Sequence, residues 1–162
     1  MTIEAATEES TTESLLREAT QFAKTGDHDA ARKQLIALLS AEPEHEIALG
    51  MLAAVYAEQQ QFDQAVHYFR RLLEVNAENV LARFQLGLAL LDLHKPNEAL
   101  AAWQTGNFAE NEYLVDYQRG VALMQLDRPQ EALNRFQQAR LMMPTNHVFY
   151  PQLLAYLIQL SQ

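Results

Sequence analysis

The sequence predicts an all-α solenoid: four stacked helix pairs followed by a C-terminal helix. Three observations carry this expectation. First, small residues recur about every 34 positions. Ala19, Ala53, Gly87 and Gly120 are separated by 34, 34 and 33 residues, and Ala31, Ala65, Ala99 and Ala132 repeat the same steps. Second, two ladders of large apolar residues keep this register: Leu35, Phe69, Trp103, Phe136 and Phe22, Tyr56, Leu90, Leu123. Third, the apolar residues inside each unit follow the 3.6-residue helical period. A fixed period of this length marks stacked helical pairs, none of which can bury its apolar face alone.

Taken in order, residues 1–13 carry Glu4, Glu8, Glu9 and Glu13 with several Ser and Thr and no basic residue. Their composition predicts a mobile acidic tail. Ser10 and Glu13 have capping-box spacing, which starts the first helix near there. The repeats then fall at about 12–45, 46–79, 80–112 and 113–146. In the first, Leu15, Ala19, Phe22 and Ala23 share a helix face. Gly26 suits a left-handed helix end. A second helix carries Ala31, Leu35, Leu38 and Leu39 and stops before Pro43. The second unit repeats this with Leu49, Leu52, Ala53 and Tyr56, a turn at Gln60 and Gln61, then Phe62, Ala65, Phe69 and Leu72. In the third and fourth units Pro96 and Pro129 stand where a second helix starts and a missing N–H costs nothing. Gly106 and Asn107 end the third pair early. The expected result is an acidic loop that folds Phe108 back onto the stack, with a contact loop as the alternative. Residues 147–162 form a last helix whose only polar stripe is Gln152 and Gln159, too apolar for an ordinary cap.

These residues resemble the tetratricopeptide repeat family, whose pattern places Leu-Gly and an aromatic on the first helix, then Ala, an aromatic and Pro on the second. Leu52, Ala53, Tyr56, Ala65 and Phe69 match it in the second unit. Leu86, Gly87, Ala99 and Trp103 match it in the third, and Gly120, Ala132, Phe136 and Pro144 in the fourth. The resemblance implies a right-handed superhelix over residues 12–146. It also implies a concave groove lined by the first helices, where a protein segment binds. The expected Trp heading each unit is absent, and Ala77 replaces the terminal Pro of the second unit.

Carrying the lining positions over gives Leu16, with Glu13, Thr20 and Lys24, in the first unit. The second gives Ile47, Met51 and Ala54, with Gly50 and Glu58. The third gives Leu81, Phe84, Leu88 and Leu91, with Asp92. The fourth gives Leu114, Tyr117, Val121 and Met124, with Gln125. One branch of the family grips acidic C-terminal peptides through basic groove residues. Here those positions hold Leu16, Thr20, Met51, Leu81 and Gln85, so that clamp is missing. The groove is expected to be apolar, with acidic turns (Glu42, Glu44, Glu46; Glu74, Glu78; Glu110, Glu112) at its edge. It therefore suits an apolar or amphipathic segment with basic flanks. Filling from within, by the 1–13 tail, the last helix or a second copy, is the alternative. Tyr150, Leu153, Leu154, Leu157 and Ile158 are candidates for self-association through the last helix, to a homodimer; packing on the last pair is the competing expectation.

Bulk properties bound the function. Twelve basic and 21 acidic residues give a net charge of −9, which argues against nucleic acid and against anionic membranes. There is no cysteine, no basic-apolar leader at the start and no apolar run long enough to span a bilayer, so a cytoplasmic protein is expected. No catalytic motif is present and no cofactor is implied. The histidines, His28, His45, His67, His94 and His147, are scattered without the HExxH spacing of a zinc site. The expected function is a non-catalytic adaptor or chaperone, by analogy with small acidic secretion chaperones built from the same repeat. A self-assembling structural subunit and a regulatory domain of a larger protein are the alternatives.

Overall fold

The computed structural model describes residues 3–109 and 111–161, with side chains from Thr11 onward. Among the described residues the chain is helical, with no strand. The helices are α1 (Ile3–Thr25), α2 (His28–Ala41), α3 (Glu46–Glu58), α4 (Phe62–Val75), α5 (Val80–Asp92), α6 (Pro96–Gln104), α7 (Glu112–Gln125), α8 (Pro129–Met142) and α9 (Tyr150–Leu160). They divide into two compact units, Met1–Ala82 and Arg83–Gln162.

The expected tail requires correction. From Ile3 the chain is already part of α1, ahead of the Ser10 capping box. Residues 4–9 are Glu, Ala, Ala, Thr, Glu and Glu, mostly good helix formers with no Gly or Pro, so nothing stops the helix from growing outward. Residues 1–2 lie outside the described part.

Each short turn between paired helices is built the same way. In α1, the N–H of Gly26 donates to the Ala23 carbonyl and that of Asp27 to the Phe22 carbonyl at 3.0 Å. These are the two bonds of a Schellman ending. The pattern recurs at Gln60 and Gln61, at His94 and Lys95, and at Asp127 and Arg128. The receiving carbonyls belong to Tyr56, Leu90 and Leu123, the fourth sequence ladder. The residue at the bend adopts positive φ each time: 78° at Gly26, 58° at Gln60, 55° at His94 and 54° at Asp127. Only the first is glycine, so the other three carry left-handed strain. Replacing Gln60 with Gly is expected to raise stability by about 0.5–1 kcal/mol, and Gly26→Ala to lower it by about 1 kcal/mol. Urea unfolding followed by circular dichroism measures both signs.

Burial follows the ladders. In the first unit Ala19, Ala31, Leu35, Ala53 and Ala65 are fully buried and Phe69 nearly so. In the second, Ala99, Trp103, Ala132 and Phe136 are fully buried, and the glycines against which the rings lie are buried too. A Cβ on Gly120 would sit 2.5 Å from the Phe136 ring, and one on Gly87 would overlap the Trp103 indole. The glycines let two helices approach closely enough for an aromatic ring to fill the gap.

The fourth ladder departs from uniform burial. Leu90 and Leu123 are buried, but Phe22 and Tyr56 are only half-buried. Tyr56 stacks on Tyr68 at 5.5 Å, and Arg32 and Arg71 cover the two rings at 5.8 and 5.6 Å. Cation–π contact takes the place of aliphatic packing at this edge of the first unit.

The third pair is interrupted as expected. Helix α6 has 9 residues against 14 in α2, α4 and α8. It stops before Gly106, which has φ 142°. The following loop turns Phe108 inward to 4% exposure.

Candidate protein-binding surface

In the first unit the exposed sides of α1 and α3 supply the expected lining. Leu16, Thr20 and Met51 are half-buried, while Ala54 is exposed. The Thr20 hydroxyl donates to the Leu16 carbonyl at 2.8 Å and lies 3.9 Å from Met51 Sδ, which ties the two helix faces together. Beside it runs a shallow cavity of about 340 Å³ lined by Glu13, Leu16, Arg17, Thr20, Gln21 and Lys24. Ile47 at the start of α3 is 59% exposed, and Leu81 at the start of α5 is 68% exposed. These two residues occupy the same place in the repeat, 34 residues apart. Near them Glu42, Glu44, Glu46, Glu74 and Glu78 are all exposed. Glu46 accepts a hydrogen bond from the Asn76 amide at 2.9 Å.

In the second unit the expected lining is more closed. Phe84 and Leu88 on α5 are half-buried. Phe84 leans on Trp103 with ring centres 6.3 Å apart, and its carbonyl accepts the indole N–H at 3.2 Å. On α7, Leu114 is half-buried, and Val121 and Met124 pack against the core of that unit. Glu110 lies outside the described residues.

Four candidates require correction because their side chains are buried. Leu91 is 6% and Tyr117 5% exposed. Tyr117 stacks on Phe149 at 5.1 Å and tilts against Phe136 and Tyr156. Its burial, with the neighbouring Tyr156 phenol, pushes the Tyr117 hydroxyl up to about 12. Leu153 and Leu157 of α9 are likewise buried, in the same cluster. The last helix lays these leucines, with Tyr156 stacked on Phe136 at 4.7 Å, onto the last pair. Of the self-association candidates, Leu154 and Ile158 remain exposed and Tyr150 is half-buried.

Two features escaped the sequence reading. One is a charged network in the second unit. Arg119 donates to Glu112 at 2.6 Å, to Asp116 at 3.2 Å and to the Trp103 carbonyl at 2.6 Å, and Asp116 also meets Arg135 at 3.2 Å. The signal was present as acid, acid, base at positions 112, 116 and 119, one helical face. The other is the His45 ring, which the sequence shows only as one of five scattered histidines. Its Nδ1 accepts the Ala48 N–H at 3.2 Å and so caps α3, while Asn79 caps α5 in the equivalent place through Ala82 N–H at 2.9 Å. Among the described residues, no group of three or more His, Asp or Glu side chains is placed to hold a metal ion. None of the described helices is long and apolar enough to cross a membrane.

The family profile of anaphase-promoting complex, cyclosome, subunit 3 matches residues 26–105. A tetratricopeptide repeat protein from Parabacteroides merdae superposes with a TM-score of 0.79 at 21% identity, over 94% of this chain and 60% of that one. The chain is a tetratricopeptide-repeat protein. A crystal structure of MamA superposes on this repeat protein with a TM-score of 0.80 at 16% identity, covering 94% of this chain and 91% of that one. A second MamA structure, MSR-1, reaches 26% identity with a TM-score of 0.73, covering 81% and 76%. Among proteins of curated function, none matches the sequence significantly. The likenesses fix the fold as an all-α solenoid of the repeat family. Such a fold is typically an interaction scaffold.

Proposed function

We propose that this repeat protein is a non-catalytic module that binds an apolar or amphipathic segment of another protein along its first-helix faces. One observation carries the reading. After the ladders have filled the core of the first unit, Ile47 and Leu81 still stand 59% and 68% exposed at one repeat position. Large aliphatic side chains held in water at matched positions offer contact area to a partner. The exposed glutamates near them favour basic flanks on that segment, and charge of this kind acts mainly on encounter rate and specificity. Half-buried Met51 adds adaptability, since its thioether repacks easily. A chaperone-like role fits the same surface: an apolar segment would be shielded there from water.

The test uses labelled amphipathic peptides that share one apolar face and carry either Lys or Glu flanks. Fluorescence anisotropy is expected to show binding of the Lys-flanked peptides. The double variant Ile47→Glu/Leu81→Glu should weaken it by about tenfold or more, equivalent to about 1.4 kcal/mol. Both side chains are exposed, so helical content should not change. Equal binding by the variant, or a preference for Glu flanks, would reject the reading.

A further inference from the structure

We propose that the C-terminal surface of the second unit, formed by the end of α8, the turn after it and the outer side of α9, joins two copies of this chain. The inference goes beyond the groove reading and does not rest on it. Its starting point is apolar exposure. Leu141, Met142 and Val148 are 75%, 70% and 78% exposed, Ile158 is 65%, and Phe149 and Leu154 are just over one-third exposed. These six are most of the ten large apolar side chains exposed among the described residues, and burying such side chains supplies the approximately 800 Å² that each partner contributes to a standard interface.

Charge selects the occupant. All twelve basic and 21 acidic residues of the chain precede Leu141, and the 22 residues from there to the end carry none. In a chain of net charge −9, like charges oppose self-contact over most of the surface. They do not oppose it here. A two-fold contact places each patch on its own copy, so a neutral apolar patch is complementary to itself. Apart from Arg140, exposed beside Leu141 in the last turn of α8, a charged partner or an anionic membrane finds no ion to pair with on residues 141–161.

The repeat register places a large side chain on α9 where the four preceding units hold a small one. Leu154 lies 34 residues after Gly120, at the small-residue position of the ladder. At Gly120 the Phe136 ring comes too close for a Cβ to fit. The leucine side chain bars that close approach. It leaves instead Leu154 and Ile158 exposed one turn apart on α9, beside the Gln152 and Gln159 stripe, suited to the looser contact of a helix from another copy.

Sedimentation velocity on the full chain tests this, from about 1 µM to about 500 µM. The expected mass rises from 18.4 kDa to twice that value. Val148→Glu and Ile158→Glu should each hold the protein at single-chain mass with unchanged circular dichroism. Leu81→Glu should leave the dimer intact, which separates this surface from the peptide-binding one. A wild-type chain that stays at single-chain mass at the highest concentration overturns the proposal and leaves the patch to a different protein. A dimer that persists in both C-terminal variants, or is lost in Leu81→Glu alone, overturns it as well.

Discussion

Replacing Trp103 with alanine is expected to cost about 3–5 kcal/mol, the range for deleting a fully buried large aromatic. The indole has no exposed surface. It fills the space that Gly87 leaves on α5, and its N–H donates to the Phe84 carbonyl at 3.2 Å. Truncation therefore opens a cavity and removes a hydrogen bond together. The converse change, Gly87→Ala, forces a methyl group into the ring and should cost about 1–3 kcal/mol. The double variant Gly87→Ala/Trp103→Phe recreates the pairing of Ala53 with Phe69 in the first unit, where both residues are buried. It should recover part of the loss, with a coupling of about 0.5–3 kcal/mol. Thermal unfolding of the wild type, Gly87→Ala, Trp103→Phe and the double variant, followed by circular dichroism, measures that cycle. Simple addition of the two single effects would show that Gly87 and Trp103 do not share one space.

This pairing also shows what the sequence makes legible. The ladder of small residues and the ladder of large ones are two sides of one packing contact, so both appear at the same period. Pro96 and Pro129 mark helix starts for a local reason, the missing N–H, and both stand at the first turn of α6 and α8. Gly106 marks the early end of α6 by its backbone freedom. These signals depend on one residue or one period. The Schellman endings at Gln60, His94 and Asp127 were harder to see. Their positive φ is imposed by the hydrogen bonds of the helix end on residues that do not prefer it.

The surface was less legible than the fold because helical period gives a face but not what covers it. Tyr117 shares the register of Phe84, yet Phe149 stacks on it from the turn before α9, a contact no period encodes. Leu153 and Leu154 are adjacent, and one is fully buried while the other faces water. Which of two neighbouring leucines packs inward depends on the crossing of α9 with α8. Ile47 and Leu81 stand exposed because they lie opposite the ladders on helices whose inner faces are already satisfied. The acidic start of α1 misled for the opposite reason: charge and polarity resemble a tail, whereas Ala and Glu are also good helix formers.

Arg119→Leu is expected to destabilise the second unit by about 3 kcal/mol, because it strands part of a mostly buried ion network. Arg119 and Asp116 have side chains only 15% and 10% exposed. Removal of the guanidinium leaves Asp116 paired with Arg135 at 3.2 Å. It also leaves the Trp103 carbonyl, near the end of the shortened α6, without the Arg119 N–H. Asp116→Leu alone should cost less, about 1–2 kcal/mol, since Arg119 keeps Glu112 at 2.6 Å. The repeat supplies the decisive variant. Positions 116 and 119 correspond to Leu49 and Leu52 of the second repeat, both fully buried. Asp116→Leu/Arg119→Leu therefore restores an apolar pair that this architecture already accommodates, while Glu112 and Arg135, each nearly half exposed, can turn to water. Replacing a buried ion pair by well-packed apolar groups is often neutral or stabilising, so the double variant should lie within about 1 kcal/mol of the wild type. Urea unfolding of the four proteins decides between the two roles of the network. Recovery in the double variant means the charges oblige one another and add little net stability. A double variant as unstable as Arg119→Leu means instead that the bond to the Trp103 carbonyl, which no leucine can replace, holds the end of α6 in place.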